Sequence, residues 1–401
     1  MFIFALAVII AYAIYAMTPD ERLKALRTAL GYVNRTKEEV ERRRAEPEPF
    51  RDALRERTPR PVATAVLAGI SVLVFLMMLV GSGSFSDPAT LVSWGANVAP
   101  RTTNGEWWRL VTMTFVHKGL MHLIIEVGAL VSAGLVVERL LGPLAFAGVY
   151  VVAAVLAGLV GLSAHPLEVS VGSSGAIYGV YGLLSSSVVW GYIRRSPMTV
   201  PVRAAKTLGP PAALFLLYSF ATDNLYGDAE FAGLAVGLMC GGVLARRLDE
   251  TTAPAPMVGG LVAATLMTAV VMGVPLRGVS DARPEMVRVA AVEDRTSGVY
   301  DTAVNKFKNG WINAEALARV IDQTIMPDLL SARAHLQALG KVPTEQQQLV
   351  ANAEEYFKLR DASWRLRAGA LHRSDARGLR DADKVERASL EALEKIRPGG
   401  Q

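Results

Sequence analysis

Residues 171–182 read VGSSGAIYGVYG, placing two adjacent serines between glycines at the mouth of an apolar run, with Tyr178 one helical turn beyond Ser174. Alone, this stretch is compatible with plain packing, because Gly and Ser let membrane helices approach each other closely. Its neighbours give it more weight. Two histidine-bearing segments lie upstream, a glycine ladder lies downstream, and apolar runs separate them.

The chain has 401 residues, 51% of them hydrophobic, and a formal net charge of +5. It is too apolar for an ordinary soluble domain and too charged at its ends to lie wholly in a membrane, so a membrane core with polar appendages is expected. The arginines stand beside apolar segments, where the positive-inside rule accounts for them, and no nucleic-acid partner is indicated. The one cysteine, Cys240, sits within an apolar run and allows no intramolecular disulfide.

Residues 1–17 are apolar with no basic flank before them, which reads as an N-terminal transmembrane anchor rather than a signal peptide. Residues 18–60, with ERRRAEPEP in their middle, read as a charged, helical cytoplasmic linker. Further apolar runs lie near 62–80, 116–136, 143–163, 174–193, 208–221, 230–245 and 257–275. Each reaches or approaches the ~20 residues that cross the hydrocarbon layer. Residues 83–115 read as a loop whose Trp107, Trp108 and Arg109 suit the membrane interface.

Placing 18–60 inside puts the Arg-bearing loops 138–142, 194–206 and 246–250 inside as well. The Trp107 loop, Ser174, the start of the 230–245 helix and residues 276–401 then fall outside. The expected architecture is an all-α polytopic membrane protein: a six-helix core over 61–250, an additional transmembrane helix over 251–276, and an extracytoplasmic helical domain over 277–401. Thr344 and Gln347 form a capping-box pattern ahead of a helical run in that domain, which reads as a partner-binding or scaffolding unit of unspecified partner.

Ionisable groups inside a membrane are functional candidates by default. His117 and His122 flank the start of the second core helix, and Glu126 lies one turn beyond His122 on the same face. Glu230 opens the sixth core helix, just before Gly233, Gly237 and Gly241. Those glycines share one face, and Gly175 and Gly179 offer a matching face beside Ser174. If the faces meet, Glu230 comes near Ser174 and Tyr178.

In this order and spacing the motifs resemble the rhomboid family of intramembrane serine proteases, over about residues 62–250. The WR pair is Trp108 and Arg109, the histidines spaced by five are His117 and His122, and the closing Glu and Gly of the helix are Glu138 and Gly142. GxSG is Gly172, Ser173, Ser174 and Gly175, Tyr178 stands in its expected place, and the ladder is EFAGLAVGLMCG. The resemblance implies a rhomboid-like core with Ser174 as nucleophile, transmembrane proteins as substrates or clients, the lipid bilayer as medium, and no cofactor. It implies supporting or oxyanion roles for His122, Glu126, Gly172, Ser173 and Tyr178. It also implies substrate admission near the 208–221 helix, which holds Pro210 and Pro211, and the loop after it, whose Asp223, Asn224, Tyr226 and Asp228 read equally as a solvated connector. The sequence departs from the family at two positions: Glu230 stands where the catalytic His belongs, and Glu126 where the oxyanion-stabilising Asn belongs.

Three readings follow. In one the fold is a pseudoprotease that binds client transmembrane helices without cleaving them. In another, Glu126 and Glu230 face one small cavity and share a proton. Ionised Glu230 then takes the Ser174 proton, while neutral Glu126 donates to the oxyanion beside His122 and the Ser174 amide, with activity favoured at mildly acid pH. In the third, His117, His122, Glu126 and Glu230 hold a metal, although the family carries both histidines without one. His165, nine residues before Ser174, is a substitute base only if its loop folds back over the cavity, and is otherwise an exposed loop histidine. The expected location is a bacterial inner (plasma) membrane, with the C-terminal domain outside the cytoplasm.

Overall fold

The computed structural model of the protein describes residues 49–81, 84–193, 202–222, 227–244 and 254–396, in two compact units, 1–60 and 61–401. The expected anchor at 1–17, most of the 18–60 linker, and the loops at 194–201, 223–226 and 245–253 lie outside the described residues. In the first unit a helix, Pro49–Arg57, carries Asp52 in its first turn and Arg55 and Arg57 in its last, the distribution its dipole favours.

The second unit is all-α and polytopic. Its membrane part comprises α1 (Val62–Gly81), α2 (Leu120–Leu141), α3 (Pro143–Ala164), α4 (Ser174–Ile193), α5 (Val202–Thr222), α6 (Asp228–Leu244) and α7 (Ala255–Gly273). Among the described residues, α1, α2, α3 and the stretch Ala255–Leu276 are long and apolar enough to cross a membrane. Within α4 and α5 the apolar parts are shorter, Ser174–Val189 and Leu208–Thr222. Leu73, Leu76 and Met77 on α1 and Met267, Val270 and Val271 on α7 are exposed, as suits side chains that meet acyl chains.

Residues 84–119 are more ordered than the plain loop expected from sequence. They fold into the short helices Pro88–Ser93, Ala99–Thr102 and Arg109–Thr112, held from within by a buried arginine. Arg109 Nη1 donates to the carbonyls of Val92 (2.5 Å) and Ala96 (2.9 Å), and its Nε donates to Glu106 Oε2 (2.5 Å). Asn97 and Ser170 exchange both backbone hydrogen bonds (2.9 and 2.8 Å), and Ala99 N–H bonds the Pro166 carbonyl (3.0 Å). These contacts stitch residues 84–119, called the outer segment after their expected position, to the chain that leads into Ser174. At the far end of α2, buried Glu138 accepts from the N–H groups of Ala63 (2.8 Å) and Thr64 (2.7 Å) and from the Thr64 hydroxyl (2.7 Å). It satisfies first-turn donors of α1 that have no intrahelical partner.

The most extensive helix–helix contact among the described residues joins α4 to α6. A Cβ at Gly233 would land on the Gly175 carbonyl oxygen, and one at Gly237 on that of Gly179. Behind α4, Gly175 and Gly179 leave room for the methyl groups of Ala157 and Ala153 of α3. The two expected glycine faces therefore meet, backbone against backbone, with α3 closing the third side.

After α7 the chain builds an all-helical domain from α8 (Arg283–Lys308), α9 (Ala314–Val320), α10 (Met326–Gln337), α11 (Thr344–Arg373) and α12 (Ala376–Glu394). Helix α11 starts at the expected Thr344, but without the expected capping box, because no side chain caps that terminus. Gln346 instead turns inward, accepting from Ala282 N–H (2.7 Å) and donating to Asp281 (2.8 Å). The domain holds a buried charged network. Glu293 accepts from the Tyr356 hydroxyl (2.6 Å) and from Arg360 Nε (2.9 Å) and Nη2 (2.6 Å). Glu386 accepts from Arg360 (2.7 Å) and Arg367 (2.6 Å). Burial alone would raise the Glu386 carboxyl, but the hydrogen bonds and charges of Arg360 and Arg367 outweigh it and hold the group below the ordinary glutamate range. At its root, the domain meets the outer segment: Asn104 Nδ2 donates to the Val279 carbonyl (2.9 Å), and Gly278 N–H donates to Asn104 Oδ1 (3.1 Å).

Two predictions follow from this packing. Gly237→Ala drives a methyl into the Gly179 carbonyl and should destabilise the membrane core by about 1–3 kcal/mol, whereas Gly242→Ala, whose Cβ would meet open space on the same helix, should be close to neutral. Thermal unfolding in detergent micelles compares them, and equal midpoints for the two variants would contradict the ladder. For Glu386, a lowered carboxyl stabilises the fold above its unfolded value and loses that contribution as pH falls through the folded value. The unfolding temperature of the C-terminal domain should thus drop on acidification below the ordinary glutamate range, and Glu386→Gln should flatten that acid limb.

Candidate active site

Ser174 is the first residue of α4, and Glu230 lies in the first turn of α6. The glycine contact brings the two helix starts together, and the Ser174 hydroxyl donates to Glu230 Oε1 at 2.8 Å. Both residues line a cavity of about 140 Å³, whose wall also includes Gly175, Ala157, Thr114 and His165.

The second carboxyl serves the other serine. Glu126, 1% exposed, accepts through Oε2 from the Ser173 N–H (2.6 Å) and the Ser173 hydroxyl (2.9 Å). Through Oε1 it contacts His122 Nε2 at 2.8 Å. The Lys118 N–H points at His122 Nδ1 (3.3 Å), which makes Nδ1 the acceptor and leaves the ring proton on Nε2, directed at Glu126. His117 Nε2 stands 3.2 Å from Glu126 Oε2, while its Nδ1 faces the Phe115 carbonyl at 3.1 Å. Gly172 makes this knot possible. Its φ of +98° is one that only glycine takes easily, and a Cβ there would sit 2.7–2.8 Å from His122 and Glu126 atoms. Its N–H bonds the Met113 carbonyl at 3.0 Å, tying the serine loop to the outer segment. Tyr178 packs against Phe215 of α5, ring centroids 5.1 Å apart, and His122 stacks on Tyr218 at 6.0 Å.

This geometry corrects the shared-proton expectation. Glu230 lines the cavity and Glu126 is not part of its wall, so the carboxyls do not face one space. Both oxygens of Glu126 act as acceptors, and the His122 ring proton is spent on it, so neither group presents a donor to the cavity in this arrangement. The metal reading also fails on geometry: among the described residues no three His, Cys, Asp or Glu side chains are grouped to hold an ion. His165 goes the other way. Its loop does fold back, and the side chain lines the Ser174 cavity with its Nε2 4.0 Å from Asp228 Oδ2. The pairing of Asn97 with Ser170, which positions that loop, carries no sequence signal.

Comparison with known proteins bears on the same residues. A family model described as "Rhomboid domain" matches residues 104–247. The "Putative rhomboid protease YdcA" of Bacillus subtilis (strain 168) is 30% identical over 185 residues, 46% of this chain and 86% of that protein. This chain belongs to the rhomboid family. "Rhomboid protease GluP" of the same organism is 29% identical over 201 residues, 47% of this chain, and the chain spans 38% of that rhomboid's length. The "Inactive RHOMBOID-like protein 8" of Arabidopsis thaliana is 32% identical over 111 residues, 28% of this chain and 30% of that one. Rhomboid relatives of this chain thus carry both protease and inactive names, and the Ser174–Glu230 and Ser173–Glu126 pairs lie within the matched rhomboid segment.

The Glu126 knot generates a stability prediction. Glu126→Ala strips the partners from His122 and the Ser173 N–H inside the core and should destabilise the protein by about 3–5 kcal/mol, the range for breaking a buried pair. Glu126→Gln, which keeps one acceptor, should fall between. Unfolding midpoints of both variants equal to that of the native protein would show that the knot does not hold the serine loop.

Proposed function

We propose that this rhomboid is an intramembrane serine endopeptidase, with Ser174 as nucleophile and Glu230 as the base that takes its proton. The observation that carries this reading is the 2.8 Å hydrogen bond from the Ser174 hydroxyl to a Glu230 oxygen, inside a cavity large enough to admit a peptide carbonyl and water. A carboxylate accepting from a serine hydroxyl fills the role that a general base plays for a nucleophile. The N–H groups of the first turn of α4 lack intrahelical partners and are candidates to stabilise an oxyanion. His122, Glu126, Gly172 and Ser173 then act behind the nucleophile, fixing its loop. The substrates are transmembrane proteins, and the names of the protease relatives support the same class of reaction. The Arg-bearing loops support a bacterial inner-membrane location with the cavity and the C-terminal domain outside the cytoplasm, and Asn104 contacts the root of that domain beside the outer segment.

A second reading is favoured by one specific feature: Glu126 and His122 consume each other's hydrogen-bonding capacity where the family pattern supplies an oxyanion donor. In that reading the fold is a pseudoprotease that holds client helices. Reconstitution in lipid vesicles with a single-span reporter protein separates the two. The endopeptidase reading expects a new reporter terminus near the outer face at acid or neutral pH, lost in Ser174→Ala. A reporter that co-purifies intact at every pH, and equally well with Ser174→Ala, supports the client-binding reading instead.

A further inference from the structure

His165 caps the C-terminal end of α3, its N–H bonded to the Gly161 carbonyl at 2.8 Å. The residues after it are pinned, Pro166 by Ala99 and Ser170 by Asn97, so the imidazole is held at the cavity wall rather than left on a wandering loop. Opposite stands Asp228, the first residue of α6 and two before Glu230, with its Oδ2 4.0 Å from His165 Nε2. Ser174, Glu230, Asp228 and His165 all line the same cavity.

Resting on the endopeptidase reading above, we propose that His165 is a second catalytic residue, the acid that protonates the leaving amine and the base that activates the hydrolytic water, with Asp228 as the positioning residue that orients it. As Ser174 Oγ bonds to the substrate carbonyl carbon, its proton passes to Glu230. As the C–N bond breaks, the nitrogen takes a proton from the His165 imidazolium. The acyl-enzyme then faces neutral His165 and protonated Glu230. Water gives a proton to His165 while its oxygen bonds the acyl carbon, and Oγ recovers the Glu230 proton as the ester bond breaks. One water is consumed and both groups return to their starting states. The division suits the chemistry: a carboxylate is a weak base toward water, whereas imidazole changes protonation near neutrality, where acid and base roles are both accessible. The other charged groups on the cavity wall are Lys118, Glu168, Asp228 and Glu230.

The test uses the full chain in lipid vesicles and compares native protein, His165→Gln and Ser174→Ala. A fluorophosphonate reacts at serine with loss of fluoride, which needs no imidazolium proton, so it reports Ser174 and Glu230 alone. His165→Gln is expected to keep its Ser174 adduct and to lose about 100-fold in amide cleavage. An activated aryl ester should acylate it, and the acyl-enzyme should accumulate, visible as a stable mass shift. The upper limb of the native pH profile should vanish in the variant. Amide cleavage by His165→Gln at the native rate and with the native pH profile overturns the proposal, as does loss of the phosphonyl adduct, which would assign His165 a structural role. A native protein that forms no Ser174 adduct instead defeats the endopeptidase reading, and this proposal with it.

Discussion

The close approach of α4 and α6 is the constraint on which the site depends. A side chain at Gly233 or Gly237 of α6 would collide with the backbone carbonyl of Gly175 or Gly179 of α4. That approach is permitted only because Gly175, Gly179, Gly233 and Gly237 share faces, and it sets the distance between the two helix starts. Ser174 and Glu230 sit at those starts, so their hydrogen bond is a product of backbone packing rather than of long side chains reaching across a gap. In a membrane, where water no longer drives helices together, contact of this kind is a main source of association. The same feature that holds the core therefore also assembles the pair that could do chemistry.

The second constraint is the separation of the two carboxyls. Ser173 and Ser174 are neighbours, yet each belongs to a different acid: one to Glu126 behind the loop, the other to Glu230 in the cavity. A positive φ and the missing Cβ at Gly172 let the chain run close against His122 and Glu126 just before the two serines. Glu126, with His122 and His117 around it, anchors the loop from the buried side. This leaves Glu230 bonded to the Ser174 hydroxyl without Glu126 beside it, a different arrangement from two acids sharing one proton. In the endopeptidase reading it also assigns the stabilising of negative charge to backbone N–H groups, since His122 already donates to Glu126.

Much of this was legible in the residues. Apolar run lengths located the membrane helices, and glycines spaced by four announced which faces meet, because both signals come from local periodicity. The rhomboid motifs then placed Ser174 and Glu230 together. What stayed hidden depends on contacts distant in sequence. Nothing in WGANVAP announces that Asn97 pairs with Ser170, or that this pairing would swing His165 over the cavity. Thr344 and Gln347 matched a capping pattern, but Gln346 was drawn inward by Asp281 and Ala282, a tertiary demand that local spacing does not encode. Likewise, whether Glu126 faces the cavity or the loop turns on its bonds to Ser173, a contact distant in sequence that a motif leaves open.

Outside the membrane, the helical domain is held by buried arginine–carboxylate pairs and rooted on Asn104, in the same outer segment that steadies the serine loop. Fold, site and appendage thus converge on one end of the helix bundle. The claim at the centre is that Glu230 makes Ser174 reactive. The rate at which a fluorophosphonate modifies Ser174 in Glu230→Gln, measured beside the native protein in lipid vesicles at matched fold stability, tests it most directly. The account predicts that the variant, having no carboxylate to take the proton, reacts more slowly by about 100-fold or more; equal rates in the two proteins would contradict it.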